Sequence, residues 1–242
     1  MKKLVILGAG TAGTMVANRL NRVLEKDEWQ ITLVDQDPVH YYQAGYLFIP
    51  FGIYTHKDVV KPKRDFIAPG HRFIQTTIEL IEPEHNKVRL ANGETLDYDF
   101  LIIATGNDIY PDETPGLNEH EWGKSIHTFY SADGAVALAN KLRTWEGGRL
   151  VVNVVETPIK CPVAPLEFVM LADWYFQQRK MREKVELVFA TPLPGAFTKP
   201  VASKLIGHVL DEKNIQVESE FMIEHADPDA KKIVSYDERE IG

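Results

Sequence analysis

A single cysteine, Cys161, stands among the 242 residues. No disulfide can therefore close within the chain, and neither a disulfide-stapled secreted scaffold nor a Cys-based zinc site is available. A reducing compartment and a metal-free site are the expectations. Long apolar runs are also missing: no stretch reaches the roughly 18 to 20 residues of a membrane span. The run after Lys2 and Lys3 meets Gly8 after four residues, Leu4 to Leu7, short of the roughly 7 to 15 that a signal peptide needs. Membrane contact is thus expected to be peripheral or to lie outside this chain. Positive charge is in deficit, with 27 Lys and Arg against 35 Asp and Glu and a net charge of -8, a poor balance for a phosphate-backbone binder, so nucleic acid is not an expected partner. What the sequence does have is 44% apolar and 26% charged residues with ordinary glycine and proline use. That composition excludes disorder and low complexity and suits one to two globular domains.

Lys3 to Leu7 reads as a buried strand running into Gly8-Ala9-Gly10-Thr11-Ala12-Gly13, after which Ala12, Val16, Leu20, Val23 and Leu24 recur at helical spacing. A second apolar run, Trp29 to Val34, ends at Asp35, 22 residues beyond Gly13. Strand, glycine turn, helix, strand and terminal acid form a mononucleotide-binding βαβ unit. Gly8 permits the tight turn, Gly10 admits a pyrophosphate and Gly13 lets helix and strand pack closely, with the phosphates on the helix N-terminus. Asp35 is placed to accept from an adenosine ribose and to repel a 2′-phosphate, which favours FAD or NAD over NADP.

The segment His40 to Phe51 is dense in aromatics without a clean period and is expected to be irregular and packed beside a cofactor, with Gln43 to Gly45 as its contacts. Strands are expected at Phe73 to Glu79 and Lys87 to Leu90, joined by a polar turn. Tyr98 to Ile103 continues as an apolar strand into Ala104-Thr105-Gly106, small residues at the ligand edge of a parallel sheet. Gly8, Gly10, Thr11, Ala12, Asp35, Thr77, Ile78, Thr105 and Gly106 are expected to line one dinucleotide channel, with Gln43 and Ala104 beside it.

Gly8 to Gly13, Asp35 and the Asp99 to Gly106 strand together resemble the two-dinucleotide-domain flavoproteins, which include disulfide reductases, type II NADH dehydrogenases and sulfide:quinone oxidoreductases. The resemblance implies an α/β fold of two Rossmann-like domains. Residues 1–110 would form the FAD-binding domain, completed by a C-terminal segment absent from this chain, and residues 111–242 the second domain, after a linker from Pro111 to Trp122.

A helix is expected over Ser131 to Leu142 and a buried strand over Arg149 to Val155. The turn that follows in an NADH-binding domain should repeat the glycine fingerprint, yet Glu156 to Pro165 contains no glycine and three prolines. The next strand, Val185 to Ala190, ends in Thr191-Pro192 with no carboxylate for a ribose. Both halves of a second fingerprint are missing, which argues against NAD(P)H oxidation.

Cys161 occupies the place of that turn, just ahead of a helix expected over Pro165 to Arg179. There the helix N-terminus and Lys160 favour thiolate. Lys160-Cys161-Pro162-Val163-Ala164-Pro165-Leu166-Glu167 resembles the signature of sulfide:quinone oxidoreductases and flavocytochrome c sulfide dehydrogenases, whose cysteine here faces the flavin. The resemblance carries Glu167 over as a proton-transfer residue. It sets His127, in Ser125-Ile126-His127-Thr128, where many relatives have another cysteine, so a thioether-linked flavin is not expected and His127 is a candidate proton relay.

The implied function is FAD-dependent oxidation of sulfide to polysulfide or sulfur, with electrons passing to a quinone. Sulfide would open a disulfide between Cys161 and a partner cysteine beyond residue 242. The chain would then be the amino-terminal part of a longer enzyme, peripheral on the cytoplasmic face of the cell membrane through the missing part; a homo-oligomer is compatible with it. Two alternatives stay open: a type II NADH:quinone oxidoreductase, and a non-catalytic FAD-binding fragment.

Overall fold

The computed structural model describes residues 1–242, which divide into two units: Met1–Gln43 with His56–Asp108, and Ala44–Thr55 with Ile109–Gly242. Each is α/β.

In the first unit β1 (Lys2–Leu7) leads through the glycine turn into α1 (Thr11–Leu20) and returns as β2 (Trp29–Asp35). Next come β3 (Val39–Tyr41), a single helical turn α2 (His56–Val59) and β4 (Val60–Pro62), with β4 antiparallel to β3. β5 (Arg72–Gln75) rejoins the main sheet, β6 (Ile78–Glu82), β7 (Lys87–Leu90) and β8 (Thr95–Asp97) form an antiparallel meander, and β9 (Phe100–Ile103) closes the unit. The main sheet is parallel throughout, in the order β5-β2-β1-β9, with Leu7 opposite Val34 and Ile103. Alternation along β1 sends Leu4 and Ile6 to one face, against Ala17, Ile31 and Leu33. Val5 and Leu7 go to the other, against Val34, Ile74 and the meander's Val88, Leu90 and Leu96. The order reverses at β1, so the carboxyl ends of β1, β2 and β9 form the crevice where a doubly wound sheet binds its ligand.

Three expectations are corrected here. The expected strand Phe73 to Glu79 is two: β5 stays in the parallel sheet, Thr76 N–H donates to the Asp35 carbonyl at 2.9 Å, and from Ile78 the chain pairs with β7 instead. The buried side of α1 runs through Gly13, Thr14 and Ala17, while Ala12 and Val23 are exposed, because the small residues let the helix axis approach the sheet and α1 ends at Leu20. The aromatic segment is less irregular than expected: Gln43–Phe48 forms a 3-10 helix, and from Ala44 to Thr55 it belongs to the second unit.

The second unit has α3 (Ala132–Thr144), β10 (Gly148–Asn153), α4 (Ala164–Gln178), β11 (Val185–Ala190), α5 (Pro200–Glu212) and β12 (Ile215–Glu218). They make a parallel sheet in the order β10-β11-β12. Ser131 caps α3 by accepting from the Gly134 N–H at 3.2 Å. β13 (Ile223–Asp227), β14 (Lys232–Ser235) and β15 (Glu240–Ile241) form an antiparallel sheet. Val185, Leu187 and Phe189 of β11 pack with Leu166, Phe168, Val169 and Phe176 of α4, while Val188 and Ala190 pack with Phe221, Ile223 and Ile241. Phe51 reaches this core by packing on the Phe168 ring at 5.0 Å. β10 ends at Asn153, two residues before the expected Val155, and Val154 N–H makes one further bond to β11, donating to the Ala190 carbonyl at 2.8 Å.

Candidate functional site

The glycine turn is shaped by contact. A Cβ on Gly8, whose φ is +94°, would overlap the Ala104 carbonyl, and one on Gly13 would overlap the Gly8 carbonyl. Gly10 is different, because nothing lies within 4 Å of the position its Cβ would take. Gly10 caps α1 without a side-chain hydrogen bond, no acid stands in the first turn, and Thr11 and Ala12 are exposed. The helix therefore presents free backbone N–H donors and the positive end of its dipole at an open approach. Ala104 N–H donates to the Leu7 carbonyl at 2.7 Å, which sets the Ala104-Thr105-Gly106 strand end beside the turn. Gly106, at φ +78°, also has open space around it.

Asp35 is brought to the same turn. Ala9 N–H donates to Asp35 Oδ2 at 2.6 Å, Asp37 N–H donates to Oδ1 at 2.9 Å, and Lys63 Nζ lies 2.7 Å from Oδ1. Three of its roughly four acceptor positions are taken, and one on Oδ2 remains for the expected ribose hydroxyl. Beside it His40 stacks on Phe66, ring centroids 4.2 Å apart, and its Nδ1 is buried without a partner. Burial first, and then the Lys63 charge, hold the His40 pKa below its usual value. Thr77 follows the β5 edge, where Ala91 N–H donates to its carbonyl at 3.0 Å, and Ile78 opens β6. Gln43 is exposed at the end of the first unit's opening segment.

An open cradle at Gly10, unpaired helix donors, an acid with one free acceptor position and an orphaned imidazole nitrogen fit an adenine dinucleotide with its pyrophosphate on α1. In the whole site Gly10, Thr11 and Ala12 would hold the pyrophosphate, Asp35 a ribose hydroxyl, and Thr105 and Gly106 the far edge.

In the second unit Cys161 is exposed, three residues ahead of α4, in the left-handed region at φ +51°. Its carbonyl accepts from the Ala164 N–H at 3.0 Å and from the Tyr130 hydroxyl at 3.4 Å. Phe129, stacked on Phe168 with centroids 4.7 Å apart, ties the Tyr130 segment to α4. Tyr130 is raised well above the usual phenol range, first by burial and then by the charges of Cys161 and Glu167, so it stays a neutral donor there. Glu167 is exposed in the first turn of α4. His127 Nε2 lies 3.0 Å from the Lys124 carbonyl, which requires Nε2 to donate and leaves Nδ1 buried without a partner; burial holds its pKa low. The structure thus gathers Cys161, Glu167 and Tyr130, while His127 is held by its own loop. Thr191 is fully buried, and its hydroxyl accepts from the Leu193 N–H at 3.3 Å.

Lys63 and Tyr130 carried no signal in the sequence. Lys63 is one of several cations between Lys57 and Arg64, and Tyr130 is one of two aromatics before a helix cap.

Fold and first-unit site define an α/β dinucleotide-binding protein, and the family to which it belongs is one of FAD-binding flavoproteins. The chain belongs to the pyridine nucleotide-disulphide oxidoreductase family, whose profile matches residues 2–152. It is 29% identical over 214 residues to a mitochondrial sulfide:quinone oxidoreductase of Dictyostelium discoideum, covering 88% of this chain and 47% of that protein. With a type II NADH:quinone oxidoreductase of Staphylococcus haemolyticus it shares 31% identity, but over 118 residues, 48% of this chain and 28% of that protein. The solved sulfide:quinone oxidoreductase of the hyperthermophilic bacterium Aquifex aeolicus superposes over 100% of this chain and 56% of its own with a TM-score of 0.83 at 21% identity, a likeness of fold. The chain spans about half the length of the sulfide:quinone oxidoreductases it matches.

Proposed function

We propose that this chain is the FAD- and sulfur-handling portion of a sulfide:quinone oxidoreductase, oxidising sulfide to polysulfide or sulfur and passing two electrons to a quinone. The observation that carries the reading is Cys161: it stands where a second nucleotide turn would be, exposed, with its carbonyl held and its thiol ahead of a helix N-terminus. The breadth of the similarity supports it, since likeness to the sulfide enzyme runs over 88% of the chain and likeness to the NADH enzyme over 48%.

Sulfide entering as HS⁻ leaves as zero-valent sulfur, releasing two electrons and a proton. FAD, when bound, supplies the two-electron acceptor, and the quinone takes the pair onward. Cys161 receives the sulfur as one half of a disulfide with a cysteine outside this chain. HS⁻ attacks, a persulfide forms, the S–S bond breaks with the other sulfur leaving as thiolate, and this persulfide and thiolate pair is the donor of the two electrons and the proton. Glu167 in the first turn of α4 takes or returns the proton, and Tyr130 holds the Cys161 backbone. His127, neutral with one free ring nitrogen, is the second proton site. A membrane-dissolved quinone places the enzyme at a membrane surface, which we assign to the cytoplasmic face of the cell membrane. No helix here is long and apolar enough to cross a membrane.

Anaerobic spectroscopy of the whole flavoprotein tests the reading. Sulfide should bleach the flavin, and a soluble quinone should restore it. Bleaching by NADH and not by sulfide would replace this function with the type II NADH:quinone reaction, which the similarity to the Staphylococcus haemolyticus enzyme favours as the second reading.

A further inference from the structure

We infer that Lys63 is a positioning residue of the FAD site, holding Asp35 in its ribose-accepting orientation and cancelling the charge it would otherwise set against the pyrophosphate. The inference rests on the first unit's taking FAD.

A lysine side chain only 4% exposed needs a partner, and Lys63 has one: Asp35, itself 14% exposed, at 2.7 Å. The pair is not part of the βαβ unit. Lys63 stands in a short 3-10 turn after β4, where its own N–H donates to the Pro38 carbonyl at 2.8 Å and so anchors it beside the exit of β2. Lys63 and the Asp37 N–H occupy Oδ1, and the Ala9 N–H fixes Oδ2 against the glycine turn, leaving one acceptor position for one ribose hydroxyl. Charge gives the second reason. An unpaired carboxylate bonded to the turn's own backbone would repel a pyrophosphate arriving at α1. With the ammonium 2.7 Å away the pair is neutral and only the hydrogen-bond acceptor is felt. Discrimination against a 2′-phosphate then rests on Asp35 being unable to donate, more than on its net charge.

The test is FAD titration of the flavin-stripped whole protein, followed by flavin fluorescence, together with thermal melting without flavin. Lys63→Met is expected to raise the FAD Kd by about 30-fold or more, with Lys63→Gln, which can donate but carries no charge, between it and wild type. The double variant Lys63→Met/Asp35→Asn is expected within about threefold of Asp35→Asn alone, as residues acting through one interaction are not additive. Lys63 variants that lower the melting temperature but leave the Kd within about threefold of wild type would make Lys63 a structural cation only, and fully multiplicative losses in the double variant would show that it does not act through Asp35. Either result overturns the inference. Should Lys63→Met not fold, the Lys63→Gln pair of measurements decides it. A wild-type protein that takes up no FAD overturns both this inference and the FAD reading beneath it, and is told apart by that fact alone.

Discussion

Gly13 faces the carbonyl of Gly8 so closely that the first helix turn and the end of β1 are in backbone contact, whereas Gly10, between them in sequence, has nothing within 4 Å of its Cβ direction. The two glycines therefore serve different purposes. Gly13→Ala is expected to cost about 3 kcal/mol or more, because only backbone can yield. Gly10→Ala is expected to melt within about 1 kcal/mol of wild type yet lose FAD by tenfold or more, its methyl standing where a phosphate approaches. Melting curves and FAD titration of both variants check this, and a Gly10→Ala protein with normal FAD affinity would show that the cradle is not used.

Asp173, 1% exposed, receives Arg182 Nε at 2.7 Å, Lys213 Nζ at 2.8 Å and Gln177 Nε2 at 2.9 Å. The same Arg182 donates to the carbonyls of Val185, Lys213 and Asn214, so one carboxylate ties α4 to the starts of β11 and β12. Burial alone would raise the Asp173 pKa, but the three donors outweigh it and the net shift is downward. Asp173→Asn should cost about 3 kcal/mol, roughly 6 to 12 °C in melting temperature at this chain length. For the wild type, the contribution is complete above the ordinary carboxyl value near 3.8 and is lost as pH falls through the lower folded one. A melting temperature in Asp173→Asn equal to wild type at pH 7 would refute the assignment.

Three histidines give a second acid response at higher pH. Burial lowers the pKa of His40, His71 and His127, helped by the charges of Lys63, Lys26 and Lys141 respectively and opposed by backbone hydrogen bonds. The unfolded chain then binds protons before the folded one, so stability is complete above about pH 6.5 and falls as pH drops from there toward the folded values. The melting temperature should be flat from pH 8 to 7 and decline by pH 5.5. A melting temperature at pH 5.5 that matches or exceeds that at pH 7.5 would contradict the burial of these rings.

Cys161→Ser in the whole protein is expected to abolish sulfide-driven flavin reduction and keep FAD bound, since α1, which would hold the pyrophosphate, is untouched. Tyr130→Phe should keep FAD as well, but raise the rate of Cys161 alkylation at pH 7, because it removes one of two donors that hold the Cys161 carbonyl. Loss of flavin in Cys161→Ser would reassign the thiol to structure.

NADH should find no site in the second unit. The Glu156 to Pro165 turn lacks glycine and loses three N–H donors to Pro158, Pro162 and Pro165, and Thr191 at the end of β11 is buried with its hydroxyl engaged. Calorimetric titration should give no binding heat. A micromolar Kd, roughly -8 kcal/mol, would favour the dehydrogenase.

The sequence by itself determined what is local. Lys3 to Asp35 reads as strand, turn, helix and strand because apolar runs, glycines and a terminal acid sit within a few residues of the backbone they shape, and Val185 to Ala190 is a strand in the structure with the same ends. The same local logic put Cys161 just ahead of α4. Tertiary structure decided the rest. Which side of α1 is buried depends on how closely Gly13 lets the helix approach, so periodicity misplaced Ala12 and Val23. The break between β5 and β6 depends on pairing with β2 and β7, which the run Phe73 to Glu79 does not encode. Asp35 meets Lys63 and Cys161 meets Tyr130 across 28 and 31 residues of chain, and Phe51 joins Phe168 across a longer interval still. These partners are chosen by burial of an ammonium, a phenol and a ring in the assembled core, a choice that exists only once distant segments pack.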